Sequence, residues 1–230
     1  MDETCPNFKH HRFEHIHQQE FQHLAREQLA RDRGPDAKCL PLYLSGALGS
    51  LFKVCLSTHG YTFVAKGMES FDFSRLQHEN RIYDRLWPVQ GKYVPVCLGI
   101  IDLVLPYCYD CGVFTHFMFL SWGGWPLAHC MNQLSKPDVI ETVTAAYDEM
   151  HKLGVLHSDA ALRNILHDKR VGTLMIADFE RSELDSREAL GPICPNSANR
   201  KRKRVSSEQR MDTFAQELNS VVAALSQMER

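Results

Sequence analysis

Two short polar clusters, each enclosed by apolar residues, stand out in the second half of the chain. Asp159 and Asn164 lie five residues apart in the segment HSDAALRN, and Asp178 follows Asn164 by fourteen residues. Apolar runs such as Val155–Leu156 and Ile165–Leu166 flank them, which is typical of short buried strands that end in polar loops. A carboxylate, a carboxamide and a second carboxylate facing one cleft predict a site for a magnesium-bound nucleotide, because Mg²⁺ prefers hard oxygen ligands.

A lysine and a glutamate in the first half of the chain predict a second part of the same site. Lys66 ends the run Val64-Ala65-Lys66 in a predicted strand, and Glu79 follows thirteen residues later in a predicted helix. A buried lysine needs a carboxylate partner, and the helix can turn Glu79 toward the strand. The pair would leave the Lys66 ammonium facing phosphate groups. A purely structural ion pair is the alternative interpretation.

The pattern of apolar residues changes from β-rich to helix-rich along the chain. It predicts helices at 12–33, 72–87, 139–153 and about 208–227, and strands at Leu42–Ser45, Phe52–Leu56, Tyr61–Met68, Val96–Leu105 and Phe114–Leu120. We therefore predict a helical extension at residues 1–37, a β-rich lobe at 38–120 and a helix-rich lobe at 121–230, with a cleft between the lobes. A basic, flexible loop is predicted at 185–209.

Charge and composition exclude several classes of protein. With 26 basic and 28 acidic residues the net charge is −2, so no global basic field favours nucleic acid. No run of about 18 apolar residues occurs, so we expect no contact with a membrane. The N-terminus is polar and the eight cysteines are scattered. We expect free thiols in a reducing compartment, and hence an intracellular protein, cytoplasmic or nuclear.

Two local motifs have competing interpretations. The run Arg200-Lys201-Arg202-Lys203-Arg204 is typical of a nuclear-import signal, which would make an import receptor a partner, or of an anion-binding patch. A solvated loop explains it equally well. Cys108 and Cys111 have C-x-x-C spacing, but no second pair of ligands follows at the spacing that a zinc site needs.

The polar positions, taken in order, resemble the protein kinase superfamily. Its pattern is a strand with Val-Ala-Lys, a glutamate in the next helix, His-x-Asp-x-x-x-x-Asn and Asp-Phe-x, and the chain carries all of these between about residues 40 and 225. Finer features resemble small fungal kinase-like proteins: IYDRL at 82–86, VQG at 89–91, VPVCLG at 94–99, LSWGG at 120–124 and DFER at 178–181. The resemblance implies an α+β, bilobal kinase-like fold with a shortened helical lobe.

The resemblance also implies roles for the polar residues, with ATP and Mg²⁺ as cofactors. Lys66 would contact the α- and β-phosphates, Asp159 would accept the proton of the acceptor hydroxyl, and Arg163 would act beside it. Asn164 and Asp178 would hold magnesium. The implied nucleotide contacts are Gly49, Ser50, Val54, Ala65, Lys66, Glu79, Leu120 and Trp122, and the hinge that meets adenine would span Phe119 to Trp122. Asp212 resembles the aspartate that braces the catalytic loop, although a plain helix residue is the alternative.

Departures from the kinase pattern leave the acceptor open. Of the usual three glycines only Gly49 is kept, Ser158 replaces the arginine before the catalytic aspartate, and Glu180 replaces the last glycine of Asp-Phe-Gly. Only 52 residues follow Asp178, too few for the helices that normally bind a protein substrate. We expect phosphoryl transfer to a hydroxyl, with a protein as the favoured acceptor. A small-molecule phosphotransferase and a nucleotide-binding pseudokinase are the alternatives.

Overall fold

The chain forms a mixed α+β structure. The computed structural model describes residues 16–31, 38–45, 49–129, 134–185 and 207–227. The helices are α1 (Gln18–Arg31), α2 (Phe73–Arg85), α3 (Lys136–Lys152) and α4 (Ser207–Gln227). The strands are β1 (Cys39–Ser45), β2 (Ser50–Cys55), β3 (Thr62–Met68), β4 (Cys97–Tyr109), β5 (Gly112–Leu120), β6 (Trp125–Pro126), β7 (Val155–Leu156), β8 (Ile165–Asp168), β9 (Thr173–Ile176) and β10 (Glu183–Leu184).

The first part of the chain is built on a five-stranded antiparallel sheet. Its strand order is β1-β2-β3-β5-β4, so the predicted three-stranded opening and the two later strands are confirmed. β4 runs four residues beyond its predicted end at Leu105, because a tight turn with Asp110 and Cys111 in the left-handed region joins it to β5. Side chains alternate between the two faces of each strand, and the two faces have different partners.

Helix α1 covers one face of this sheet. Phe21, Ala25 and Leu29 are buried on it, and they pack in a cluster rich in aromatic residues from β2, β4 and β5. Gln22 donates to a carbonyl of β4, and Arg26 donates to the Asp102 carbonyl at 2.8 Å. The predicted helix at 12–33 therefore begins at Gln18 within the described residues, while 12–15 and 32–33 lie outside them. The segment is part of the core and does not project from it.

The other face of the sheet belongs to a core that continues into the helical part. Leu76, Ile82 and Tyr83 of α2 pack there with Met118 and Leu120 of β5. The same cluster includes buried residues of α3 and α4: Val139, Val143, Ala146, Tyr147, Met150, Val221 and Leu225. A single apolar core therefore fixes the sheet against the helices, and the cavity described below opens beside it.

The second part of the chain combines helices with very short strands. α3 begins three residues before the predicted Val139 because Pro137 starts its first turn, and Gly154 follows it with a φ of +73°. β6, β8 and β9 form one small sheet, and β7 pairs with β10. α4 starts at Ser207, so the last three residues of the loop predicted at 185–209 are helical.

Several sequence predictions fall wholly or partly outside the described residues. The basic run at 200–204 and the cysteines Cys5, Cys130 and Cys194 are among them. The other five cysteines are free thiols, as predicted: Cys39, Cys55, Cys97, Cys108 and Cys111. None of the described helices combines the length and the apolarity needed to cross a bilayer.

Candidate active site

A cavity of about 580 Å³ lies between the α2 face of the sheet and the loops around β8 and β9. It brings together nine of the twelve residues predicted for the site: Gly49, Lys66, Glu79, Leu120, Trp122, Asp159, Arg163, Asn164 and Asp178. Its lining combines apolar side chains of β1, β2, β3 and the segment after β5 with charged side chains from several elements. The cavity can therefore take a ligand that has both apolar and charged parts.

The other three predicted residues do not line the cavity. Ser50, Val54 and Ala65 are buried on the opposite face of the sheet, where Val54 and Ala65 pack in the aromatic cluster under α1. Because strand side chains alternate, their neighbours Leu51 and Val64 face the cavity instead. The sequence motif identified the right strands but placed the contacts one residue out of register.

Lys66 is surrounded by three carboxylates. Its Nζ lies 2.7 Å from Glu79, 3.0 Å from Asp178 and 3.4 Å from Glu180. Burial by itself would lower the pKa of Lys66, but the charges of Glu79 and Asp178 outweigh this effect and raise the pKa above its ordinary value. Lys66 is therefore a permanent cation, and the predicted contact with Glu79 is confirmed.

Helix α2 is tied to the segment that follows Asp178. Arg75 pairs with Glu180 at 3.3 Å, and the His78 ring donates to the Ser182 carbonyl at 2.7 Å. Arg75 and Glu180 both line the cavity, and neither was among the predicted site residues. The position of Glu180, two residues after Asp178, was a visible signal, whereas the sequence around Arg75 gave none.

Asp159 lies at the opposite wall, in a loop that is held by its own neighbours. One guanidinium nitrogen of Arg163, Nη2, donates to both carboxylate oxygens of Asp159, at 2.9 and 2.7 Å. The Asn164 amide nitrogen donates to the Asp159 carbonyl at 2.9 Å. Its amide oxygen thus remains as the polar atom that can serve a cation.

The histidine that precedes this loop is fixed in one tautomer. His157 is buried, its Nδ1 accepts from the Asp159 backbone at 3.3 Å, and its Nε2 donates to the Ala177 carbonyl at 3.1 Å. Burial lowers the pKa of His157, so the ring is neutral. It links the Asp159 loop to the strand end that presents Asp178.

Two residues in the loops of the site adopt a left-handed backbone conformation that is unfavourable for residues other than glycine. Ser158 has a φ of 60° and Asp178 a φ of 68°. Such strained residues persist only when the surroundings hold them, and they concentrate at functional sites. The His157 ring joins the two loops through its hydrogen bonds to Asp159 and Ala177, and each loop contains one of the strained residues next to that bond.

Glu217 of α4, and not Asp212, braces the loop that carries Asp159. Its carboxylate accepts from the backbone nitrogens of His157 at 3.2 Å and Ser158 at 2.7 Å, and from the His151 ring at 2.8 Å. Burial would raise the pKa of Glu217, but these three donors lower it overall. Asp212 is exposed. In the sequence, Glu217 is simply an acidic residue in an amphipathic helix. Nothing in the pattern distinguished it from its polar neighbours.

Gly49 and Gly124 are required for close packing. A Cβ on Gly49 would lie 2.6 Å from the carbonyl oxygen of Gly67 in β3, so the chain needs a glycine there irrespective of any ligand. Gly124 has a φ of +104°, and a Cβ there would lie 2.1 Å from the His167 backbone. The segment that leaves β5 can reach β8 only because this residue is a glycine.

The donor set fits magnesium held jointly by protein and phosphates. Within the described ranges, no group of three His, Cys, Asp or Glu side chains is arranged to hold a metal by itself. The Asn164 amide oxygen and the Asp178 carboxylate nevertheless lie in the walls of the same cavity. Mg²⁺ in nucleotide sites usually takes one or two protein ligands and completes its shell with phosphate oxygens and water.

Comparison with known proteins links the chain to a fungal driver. No protein-family model matches the sequence. The chain is 34% identical over 219 residues to the meiotic driver SPOK2 of Podospora anserina. The match covers 90% of this chain and 27% of SPOK2, so the chain spans about a quarter of the length of that relative and is similar to one region of it.

Proposed function

We propose that the protein is a magnesium-dependent phosphotransferase that moves the γ-phosphoryl group of ATP to a hydroxyl. The observation that carries the proposal is that the carboxylates of Glu79 and Asp178 both lie within 3.0 Å of the Lys66 ammonium group. Asp159 and Asn164 line the same cavity. A structural ion pair alone explains the contact between Lys66 and Glu79. It does not explain why Asp178, from a distant part of the chain, meets the same ammonium group.

The site has the parts that phosphoryl transfer requires. Lys66, kept charged and aimed by Glu79, would hold the α- and β-phosphates. Asn164 and Asp178 would hold Mg²⁺, which when bound neutralises the charge of the phosphates. The apolar side chains of the lining, among them Leu120 and Trp122, would receive the adenine. This division leaves little covalent chemistry to the protein, since positioning and charge neutralisation carry most of the catalysis.

Asp159 is the proposed catalytic base. It would orient the acceptor hydroxyl and take its proton as the oxygen attacks the γ-phosphorus. Glu217 and His157 fix the backbone nitrogens from His157 to Asp159, so the carboxylate is presented by a rigid loop. Arg163 binds this carboxylate.

We further propose that the fold is the bilobal kinase-like fold with a shortened second lobe. The antiparallel sheet β1-β2-β3-β5-β4, with one helix between β3 and β4, and the helical second part agree with that proposal. A protein hydroxyl is the favoured acceptor, and a small hydroxyl compound is the alternative.

A nucleotide-binding pseudokinase is the second candidate. Gly49 is the one glycine kept from the phosphate-binding loop, and its packing against Gly67 gives it a structural role. A loop with so few glycines would approach phosphates less closely. The predicted nucleotide affinity is therefore modest under either proposal, and turnover distinguishes them.

Phosphoryl transfer from labelled ATP tests the proposal. The wild-type chain, Asp159→Ala and Lys66→Ala would be incubated with ATP and Mg²⁺, and autophosphorylation and ADP release would be measured. We expect both signals in the wild type and their loss in both variants. Stabilisation of the wild type by ATP without turnover would support the pseudokinase, and the absence of any nucleotide binding would refute both candidates.

The similarity to SPOK2 supports a proposal about biological role. We propose that the protein acts in meiotic drive, because SPOK2 is a meiotic driver and the match extends over 90% of this chain. The test is a fungal cross between a strain that carries the gene and a strain that lacks it. Transmission to clearly more than half of the surviving spores is expected, and equal transmission would contradict the proposal.

A further inference from the structure

Two exposed arginines lie in the wall of the cavity. Arg163 and Arg181 both line it, and the side chain of Arg163 is 65% exposed. Arg181 is exposed as well and makes no ion pair with any residue that the structure describes. A guanidinium group left free beside a cavity is available to a ligand.

The other cations of the cavity are already engaged. Lys66 is held by three carboxylates, and Arg75 pairs with Asp72 at 3.2 Å and with Glu180 at 3.3 Å. Among the residues that the structure describes, Arg163 has one ion-pair partner, the Asp159 carboxylate. The positive charge that a ligand can recruit therefore comes from the two arginines.

The position of Arg163 identifies the side from which an acceptor enters. If the nucleotide phosphates lie on Lys66 and the metal ligands, the γ-phosphorus faces Asp159, and an in-line attack must come from the Asp159 side. Arg163 is bound directly to Asp159, at 2.7 and 2.9 Å. It would therefore meet the acceptor and not the base or ribose of the nucleotide.

We propose that the cavity selects a hydroxyl acceptor that carries a negative charge, bound by Arg163 and Arg181. The inference rests on the proposed phosphotransferase function and specifies its substrate class. An anionic group matches the planar, two-point donor geometry of a guanidinium. An acidic or phosphorylated peptide and a small phosphate ester both supply this chemistry.

The proposal also assigns a role to the pairing of Arg163 with Asp159. An anionic acceptor would draw Arg163 away and free the Asp159 oxygens. The acceptor oxygen then bonds to the γ-phosphorus, its proton passes to Asp159, and the bond from phosphorus to the β–γ bridging oxygen breaks, with its electrons leaving on ADP. A neutral acceptor would leave Arg163 on the base. Selectivity and activation of Asp159 would thus be coupled.

The test compares acceptors that differ only in charge. The full chain would receive ATP, Mg²⁺ and serine, threonine or tyrosine peptides with acidic, neutral or basic flanks, and separately glycerol 3-phosphate or glycerol. We expect transfer to an anionic acceptor to exceed transfer to its neutral counterpart by about tenfold, as one charge-assisted contact provides. If only the acidic peptides show the preference, the anion belongs to a peptide. If only glycerol 3-phosphate shows it, the anion belongs to a small phosphate ester.

Charge reversal at Arg181 gives the decisive comparison. Arg181→Glu is expected to abolish the preference for anionic acceptors and to favour basic peptides, while Arg81→Glu, on the exposed side of α2, keeps the wild-type preference. Binding of a labelled acidic peptide in the presence of a non-hydrolysable ATP analogue should weaken only in Arg181→Glu.

Two results would overturn the inference. Equal transfer to anionic and neutral acceptors, or an unchanged preference in Arg181→Glu, refutes it and leaves the phosphotransferase proposal standing. If neither ATP turnover nor transfer to any acceptor is seen, the phosphotransferase proposal fails and this inference fails with it.

Discussion

Glu217 joins α4 to the loop that presents Asp159. Its carboxylate accepts two backbone N–H groups of that loop, and each charged hydrogen bond of this kind contributes about 1.5–3 kcal/mol. We expect Glu217→Ala to lower kcat at least tenfold, because Asp159 loses its fixed position, while the Kd for ATP changes little. Asp212→Ala is the matched control on the same helix, and it should behave as the wild type. A kinetic defect in Asp212→Ala with none in Glu217→Ala would contradict the assignment.

His157 makes the folded state sensitive to acid. Burial lowers the pKa of His157 below its ordinary value of 6.5, so the unfolded chain binds a proton that the folded chain does not. Stability is therefore complete above pH 6.5 and is lost as the pH falls below it, with a slope approaching about 1.4 kcal/mol per pH unit.

Denaturant unfolding between pH 5 and 7.5 measures this slope. His157→Gln should flatten the slope, because it removes the group that the unfolded chain protonates. Equal slopes in the wild type and in His157→Gln would show that other groups cause the acid sensitivity.

At the residue scale, the sequence predicted which side chains line the cavity where a motif calls for a particular residue type. It did not predict contacts that depend on how the elements pack. Lys66, Glu79, Asp159, Asn164 and Asp178 could be located because few residue types suit their roles, and all five line the cavity. The contacts assigned to Ser50, Val54 and Ala65 were wrong because a motif does not specify which face of a strand each residue takes. Glu217 depended on how α4 packs, which no local pattern encodes.

Helix α1 stabilises the sheet from the side opposite the cavity. Phe21 is buried. Its ring centroid lies 4.4 Å from that of Phe63 and 5.1 Å from that of Phe119. We expect Phe21→Ala to lower the free energy of unfolding by about 3–5 kcal/mol, the usual range for a buried aromatic residue. His23→Ala, on the exposed side of the same helix, should change it by less than about 0.5 kcal/mol. Thermal unfolding measures both, and equal effects would contradict the packing of α1.

The glycines of the second part offer a matched pair. Gly124 and Gly172 both have positive φ, but a Cβ on Gly124 would lie 2.1 Å from the His167 backbone, whereas nothing lies within 4 Å at Gly172. Gly172→Ala is expected to cost about 1 kcal/mol from backbone strain alone. Gly124→Ala should cost clearly more and should disrupt the pairing of Trp125 with His167. Equal losses in denaturant unfolding would contradict the close approach.

At the element scale, the long and strongly patterned segments were predictable. The five strands of the large sheet and helices α2, α3 and α4 lie within a few residues of their predicted bounds, because alternation, helical periodicity and flanking proline or glycine define them. β6 and β10 were not predicted. Each has two residues, too few for a period, and tertiary contacts alone determine their pairing.

For the whole molecule, one core and one ion-pair network assemble the site. The apolar cluster runs from the sheet through α2 to α3 and α4, and Lys66, Arg75 and His78 connect the sheet and α2 to the segment after Asp178. The same contacts hold Lys66, Glu79 and Asp178 together at the cavity. The sequence predicted that Lys66, Glu79 and Asp178 would meet, because each belongs to a recognisable motif, whereas no motif in the sequence specifies which acceptor the site would take.

Calorimetric titration with a non-hydrolysable ATP analogue and Mg²⁺ tests this account most directly. We expect saturable binding to the wild type that weakens without Mg²⁺, that is lost or at least tenfold weaker in Lys66→Met, and that loses its Mg²⁺ dependence in Asp178→Asn. Asp159→Asn should bind as the wild type does, since we propose that Asp159 acts on the acceptor and not on the nucleotide. Absence of binding to the wild type, or equal affinity in all four proteins, would contradict a nucleotide site built on Lys66 and Asp178.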